Sequence, residues 1–240
     1  MSLILIVMLI LIERNSMRDP IEEFYDEGYE LVMGTGLVGL YWRFIHRQLN
    51  KYVNFTSNTS ILEIGAGHGQ HFDQTNPVCR SYFETDIRKS MGYDSHFEVS
   101  DLNLLGRNKR LLNGEDLTVI PNESFDVVLS TCVIAHLDNP ASALVEWRRV
   151  LKVGGKLVFY VPCEPGLFLR FTRYFSTRIK FNRLGIRQQE INDLEHRNHF
   201  PYLRLLIFKT LGKEGLKEIR YPFRKLPWDL NHFSIFVLTK

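Results

Sequence analysis

Short apolar runs alternate with longer mixed segments along most of this chain. The runs at 60–64, 81–85, 96–100, 125–130 and 156–162 have the length and composition of strands. Stretches of helical character near 70–76, 140–151 and 202–213 lie between several of them. Such alternation predicts a doubly wound α/β domain, a mostly parallel sheet with helices on both faces. The last two runs, 216–222 and 233–239, are joined by a loop that holds Pro227, Asp229 and Asn231 and has no helical period. They predict an antiparallel hairpin at one edge, which completes a seven-stranded sheet.

Two segments fall outside this rhythm. Residues 18–58 read as a helical cap ahead of the sheet, with Leu40, Tyr41, Phe44, Ile45, Leu49 and Tyr52 at helical spacing. Residues 163–200 read as an inserted lid in which Arg170, Arg173 and Arg178 are interleaved with Phe168, Phe171, Tyr174 and Phe175. Arginines beside aromatic rings suit a phosphate, a nucleic-acid backbone or an anionic surface, and equally an amphipathic helix whose stems cover apolar area. The expected organisation is an apolar extension at 1–16 and one domain over 17–240. The unbroken apolar run from Leu3 to Ile12 is about half the roughly 20 residues of a bilayer span, so it cannot cross alone. Weak membrane-surface attachment, a buried element, and an extension upstream of a start at Met17 all stay open.

Composition adds little beyond class. At 240 residues, with 45% hydrophobic side chains, the chain can bury one substantial core. A net charge of +3 sets up no field that demands nucleic acid. Cys79, Cys132 and Cys163 are widely spaced and include no C-x-x-C pair, which argues against a disulfide framework and a structural zinc site. No metal is expected, and a reducing cytoplasm fits.

The strongest local signal is Ile61-Leu62-Glu63-Ile64-Gly65-Ala66-Gly67-His68-Gly69, an apolar strand running into three alternate glycines. The chain must turn sharply there while its backbone approaches a ligand, and a Cβ would obstruct both. The spacing is G-x-G-x-G, unlike the G-x-G-x-x-G of dinucleotide sites, and Glu63 stands two residues before the first glycine. A negative side chain suits a ligand with an ammonium and a sulfonium better than a pyrophosphate.

On these residues, and on ordered stretches through residue 162, the chain resembles the class I S-adenosylmethionine-dependent methyltransferases, in particular the group that includes ubiquinone-biosynthesis-type enzymes. Those stretches include Ser124-Phe125-Asp126-Val127-Val128 and the run from Ala143 through Gly154-Gly155 to Leu157. The resemblance implies a Rossmann-like sheet with S-adenosyl-L-methionine as cofactor. Gly65, Ala66, Gly67, His68 and Gly69 would hold its methionine part, with Glu63 and Thr131 nearby. Asp86, followed by Ile87, would accept both ribose hydroxyls, with Glu84 as fallback, since an ionised carboxylate is purely an acceptor. Adenine would meet an acidic residue followed by an apolar one. Asp101-Leu102 is preferred and Asp116 is the alternative.

Methyl transfer from a sulfonium is an in-line displacement, so the protein mainly aligns the acceptor, excludes water and removes a proton where needed. His136 is the first candidate base and His199 the second. The Glu195-His196-x-Asn198 run resembles methyltransferases of bacterial surface-polysaccharide type. The expected acceptor is an oxygen or nitrogen of a small molecule or of a glycan or lipid-linked precursor. A non-catalytic cofactor-binding protein and an RNA or protein methyltransferase are the alternatives, and oligomeric state is open. Nucleic acid is disfavoured because Ser130-Thr131-Cys132 replaces the Asn/Asp-Pro-Pro-aromatic signature of base-amino methylation. Cys132 and Cys163 are read as packing residues.

Overall fold

A computed structural model describes residues 34–178 and 196–240. Helix α1 (Gly36–Asn50) precedes β1 (Ser60–Ile64), α2 (Gln70–Thr75), β2 (Ser81–Asp86) and β3 (Gly106–Leu111). Then come β4 (Phe125–Thr131), α3 (Pro140–Val150), β5 (Leu151–Pro162) and α4 (Leu167–Phe175). Helix α5 (Phe200–Leu211), β6 (Leu216–Tyr221) and β7 (Phe233–Thr239) close the described chain. The seven strands are ordered β3-β2-β1-β4-β5-β7-β6. The first five run parallel, and β7 is antiparallel to both β5 and β6.

Period-two alternation sends successive side chains to opposite faces. Leu62, Phe83, Val128 and Phe159 join α3 and α5 in one core, while Ile61, Tyr82, Leu129 and Tyr160 join α1 in the other. Helix α3 starts where the sequence allows it: Pro140 occupies the first turn, and the Asn139 side chain accepts the Ser142 N–H at 3.3 Å. Of the expected cap and lid, α1 and α4 lie among the described residues, whereas 1–16 do not. No described helix is long and apolar enough to cross a membrane.

The third strand is not at 96–100. Phe97 turns inward onto Phe83, with ring centroids 5.4 Å apart, and Val99–Asn103 forms a 3-10 turn. The strand that pairs with β2 is Gly106–Leu111, whose sequence is GRNKRL. It is the outermost strand, so most of its side chains can stay polar and no apolar alternation marks it. Its arginines carry the packing instead: Arg107 binds the buried Glu84 at 2.7 Å and Arg110 binds Asp101 at 2.7 Å.

Candidate functional site

The strand order reverses at β1, which sits between β2 and β4, and the crevice beyond the carboxyl ends of such strands is where ligands of open α/β sheets bind. A cavity of about 1040 Å³ opens there. One half is lined by the glycine loop, Asp86 and residues 112–115; the other is walled by Tyr41, Trp42, Tyr160, Phe168 and Phe233.

The three loop glycines are required for different reasons. All have positive φ, 67° at Gly65, 56° at Gly67 and 83° at Gly69. A Cβ on Gly65 would sit 2.1 Å from Val133 Cγ2, and one on Gly69 would sit 2.7 Å from the Glu84 carboxylate. At Gly67 nothing lies within 4 Å of that position, so its backbone borders open cavity. The loop is pinned from both sides. Gly67 N–H donates to Asp86 Oδ2 at 3.1 Å, and the Tyr93 hydroxyl donates to the Gly67 carbonyl at 2.7 Å. Asp86 Oδ1 accepts the Arg88 N–H at 3.0 Å. An ionised carboxylate has about four lone-pair positions, so two such bonds leave capacity for hydroxyl donors.

His68, Ile87, Thr131 and His136 also line this cavity, together with Gly65, Ala66, Gly67 and Asp86. Gly69 caps α2 just behind the lining residues. Glu63 is elsewhere. It is fully buried on the α1 side of the sheet, where the Tyr82 hydroxyl donates to it at 2.7 Å. Burial pushes its carboxyl up to about 8 against the pull of that hydrogen bond, so it is neutral near pH 7 and offers a cationic ligand no charge.

Asp101 and Leu102 do not line the cavity. Asp101 closes a capping box at the 3-10 turn and is held by Arg110, while Leu102 packs on the core. Asp116 is exposed and accepts from Thr118 N–H and Oγ1 at 3.1 and 2.6 Å. Between these two candidates, Leu112, Asn113, Gly114 and Glu115 form the wall. The signal for them was the stretch just before Phe125, and the missing acid at Asn113 obscured it. Glu84 is spent on Arg107, and His199 caps α5 outside the cavity.

The aromatic-walled half holds side chains that spacing could not bring together. Cys132 follows β4 in the left-handed region, φ 64°, and its sulfur lies with ring nitrogens of His136 and His196 in one group, all within 4.8 Å of one another. Burial raises the Cys132 thiol, but hydrogen bonds from His136 and His196 and their charge bring it down to about 6. Glu164 accepts from His196 Nδ1 and, at 2.5 Å, from Arg173. Burial opposes ionisation of Glu164, yet these cations bring its carboxyl down to about 2. Burial likewise works against His196, but Cys132 and Glu164 raise it above the ordinary imidazole range. Cys163, by contrast, is fully buried and pushed up to about 12 by burial, in keeping with a packing role.

A second polar chain crosses the aromatic wall. The Thr172 hydroxyl donates to the Leu169 carbonyl at 3.0 Å, so its contact with His232 Nε2 at 2.7 Å is one it accepts. His232 Nδ1 is then the acceptor for the Tyr41 hydroxyl at 2.5 Å. Burial, helped by Arg173, lowers His232 to about 3, which keeps it neutral.

Comparison with known proteins agrees with this geometry. The family described as methyltransferase domain matches residues 62–159. The human thiol S-methyltransferase TMT1B is 30% identical over 125 residues, covering 49% of this chain and 48% of that protein. Human thiol S-methyltransferase TMT1A is 27% identical over 124 residues, with the same coverage. The chain therefore spans about half the length of these curated relatives. Among solved structures, a SAM-dependent methyltransferase from Thermotoga maritima superposes with a TM-score of 0.57 at 20% identity, covering 92% of this chain and 98% of that one. Phosphoethanolamine N-methyltransferase 2 of Haemonchus contortus, in complex with S-adenosyl-L-methionine, gives 0.57 at 16% identity, covering 93% and 60%. These likenesses establish a shared fold. Residues 62–159 match the methyltransferase-domain family, and the fold that carries them is shared with S-adenosylmethionine-dependent methyltransferases.

Proposed function

We propose that this protein transfers the methyl group of S-adenosylmethionine to the sulfur of a small, largely apolar thiol. The observation that carries the reading is the Cys132–His136–His196 group, which gives one end of an aromatic-walled cavity the sulfur and nitrogen chemistry a thiol needs to lose its proton. The thiol S-methyltransferase activity named for relatives over the matched half supports it.

In this reading the Gly67 backbone and its neighbours cradle the methionine part of the cofactor, and Asp86 accepts the ribose hydroxyls. Residues 112–115 flank adenine. The acceptor lies between Cys132 and the wall of Tyr41, Tyr160 and Phe233, in line with the sulfonium. The thiolate attacks the methyl carbon, the carbon–sulfonium bond breaks, and S-adenosylhomocysteine and a thioether leave. The aromatic wall excludes the water that would otherwise solvate the thiolate.

A second reading, an oxygen or nitrogen acceptor, draws on the Tyr41–His232–Thr172 chain, whose polar groups border the same cavity and can hydrogen-bond a hydroxyl or amine. The two separate by product. Purified protein with labelled cofactor is offered an alkyl thiol, an aryl thiol and their hydroxyl and amine counterparts. Thioether together with S-adenosylhomocysteine, formed from the thiols alone, is the expected result. Methylation confined to the hydroxyl or amine compounds would overturn the thiol assignment.

A further inference from the structure

Cys132, His136 and His196 do more than sit close together. We infer that they form a zinc site with three protein ligands and one open position, which faces the acceptor half of the cavity. The inference deepens the thiol reading and rests on it for the identity of the fourth ligand, though not for the metal itself.

Their ligand atoms lie within 4.8 Å of one another. With Zn–S near 2.3 Å and Zn–N near 2.0–2.1 Å, a tetrahedral centre needs ligand-to-ligand edges of about 3.3–3.6 Å, a side-chain adjustment away. The donor set is one sulfur and two nitrogens with no carboxylate oxygen, which selects zinc over magnesium or calcium. All three residues are half-buried and border the cavity, so an ion there is sheltered and can still be reached by a ligand. Closed structural zinc sites use four protein ligands, whereas three plus an open position is the arrangement of catalytic ones.

The surroundings of His196 match what a zinc histidine requires. Its Nδ1 donates to Glu164, which leaves Nε2 as the nitrogen that would release its proton and turn to the ion. Glu164 is itself fixed by Arg173. This carboxylate–imidazole pairing orients the ring before any ion arrives. The absence of a C-x-x-C pair bears only on sites built from neighbouring cysteines. Here one cysteine, a histidine four residues on and a third ligand 60 positions later are brought together by the fold.

The chemistry balances without a further reactant. An acceptor R–SH enters the fourth position and releases its proton to solvent, since a coordinated thiol is deprotonated. A new S–CH3 bond forms as the cofactor's S–CH3 bond breaks, and that electron pair stays on the sulfur of S-adenosylhomocysteine. Nothing is oxidised or reduced.

The test uses the full chain, stripped with a chelator, desalted and reloaded with Zn2+ or Co2+. Wild type should retain one zinc per chain by elemental analysis, and cobalt should give a thiolate-to-metal charge-transfer band in the near ultraviolet. Cys132→Ser should abolish that band, and His196→Ala or His136→Asn should abolish retention, with circular dichroism identifying any variant that fails to fold. Glu164→Gln, a positioning change, should weaken zinc binding roughly 10- to 100-fold. Folded wild type that binds S-adenosylmethionine but retains neither metal would overturn the site, as would an unchanged cobalt spectrum in folded Cys132→Ser. Full-rate thiol methylation by the metal-free protein would remove the metal's role and leave the thiol reading standing. Metal retention with methylation of hydroxyls or amines alone would do the reverse.

Discussion

The carboxylate of Asp86 accepts the backbone N–H of Gly67 at 3.1 Å, so the end of β2 holds the turn that follows β1. One side chain thereby shapes the glycine loop and keeps lone pairs for a ligand. Replacing Asp86 by Ala should remove charge-assisted bonds of about 1.5–3 kcal/mol, a loss of roughly 10- to 150-fold in S-adenosylmethionine affinity by calorimetry. Affinity within twofold of wild type would remove Asp86 from the site.

Different neighbours of Gly65 and Gly67 give opposite readouts for the same substitution. Gly65→Ala drives a methyl into Val133 and should lower the melting temperature, and Val133→Ala in the same chain should recover part of the loss. Gly67→Ala meets no protein atom, so its stability cost is limited to the left-handed backbone, about 1–2 kcal/mol. Cofactor affinity is what it should damage. Equal effects of the two substitutions on stability and binding would contradict this division of roles.

The glycine turn after β1, the helix–Gly-Gly–strand passage and the antiparallel hairpin were legible because each is local: a turn chemistry or an apolar period states it within a dozen residues. The third strand was not, because GRNKRL at the sheet edge buries charge through ion pairs to Glu84 and Asp101 and shows no apolar alternation. With that shift, the cavity is lined by Leu112–Glu115, and neither Asp101 nor Asp116 borders it. Glu63 misled for a different reason: strand parity turns its carboxyl away from the glycine turn. Cys132, His136 and His196 converge only in three dimensions, as do Tyr41 and His232, and no spacing rule brings such pairs together.

Glu63 should leave a signature in the pH dependence of stability. Its folded carboxyl titrates near 8, raised from 4.5 by burial, among Tyr82, Glu84, Asp86 and Arg107. Between those values the native state keeps a proton that the unfolded chain has released. Stability from this group therefore falls as pH rises from about 4.5, by up to about 1.4 kcal/mol per pH unit, and levels off above 8. Glu63→Gln lacks the titration. Denaturant melts from pH 5 to 9 should show the variant gaining on wild type with rising pH, and parallel curves would mean the carboxyl is ionised in the fold.

Trp147, on α3, backs the cavity wall formed by residues 112–115. Its indole N–H donates to the Gly114 carbonyl at 2.8 Å, and it is fully buried. Gly114 in turn packs against β1 so closely that a Cβ would lie 2.5 Å from Ile64 Cγ2. The ring thus clamps 112–115 onto the sheet from behind while that segment faces the cavity. Trp147→Phe keeps most of the apolar volume but leaves a buried carbonyl unpaired, at a cost of about 1–3 kcal/mol. Freed from its tether, the segment should hold adenine less well than ribose. The variant should therefore lose affinity for S-adenosylmethionine and S-adenosylhomocysteine alike, while free methionine, which touches only the glycine loop, competes as well as before. An equal loss for all three ligands would show that Trp147 supports the whole domain and has no particular hold on this wall.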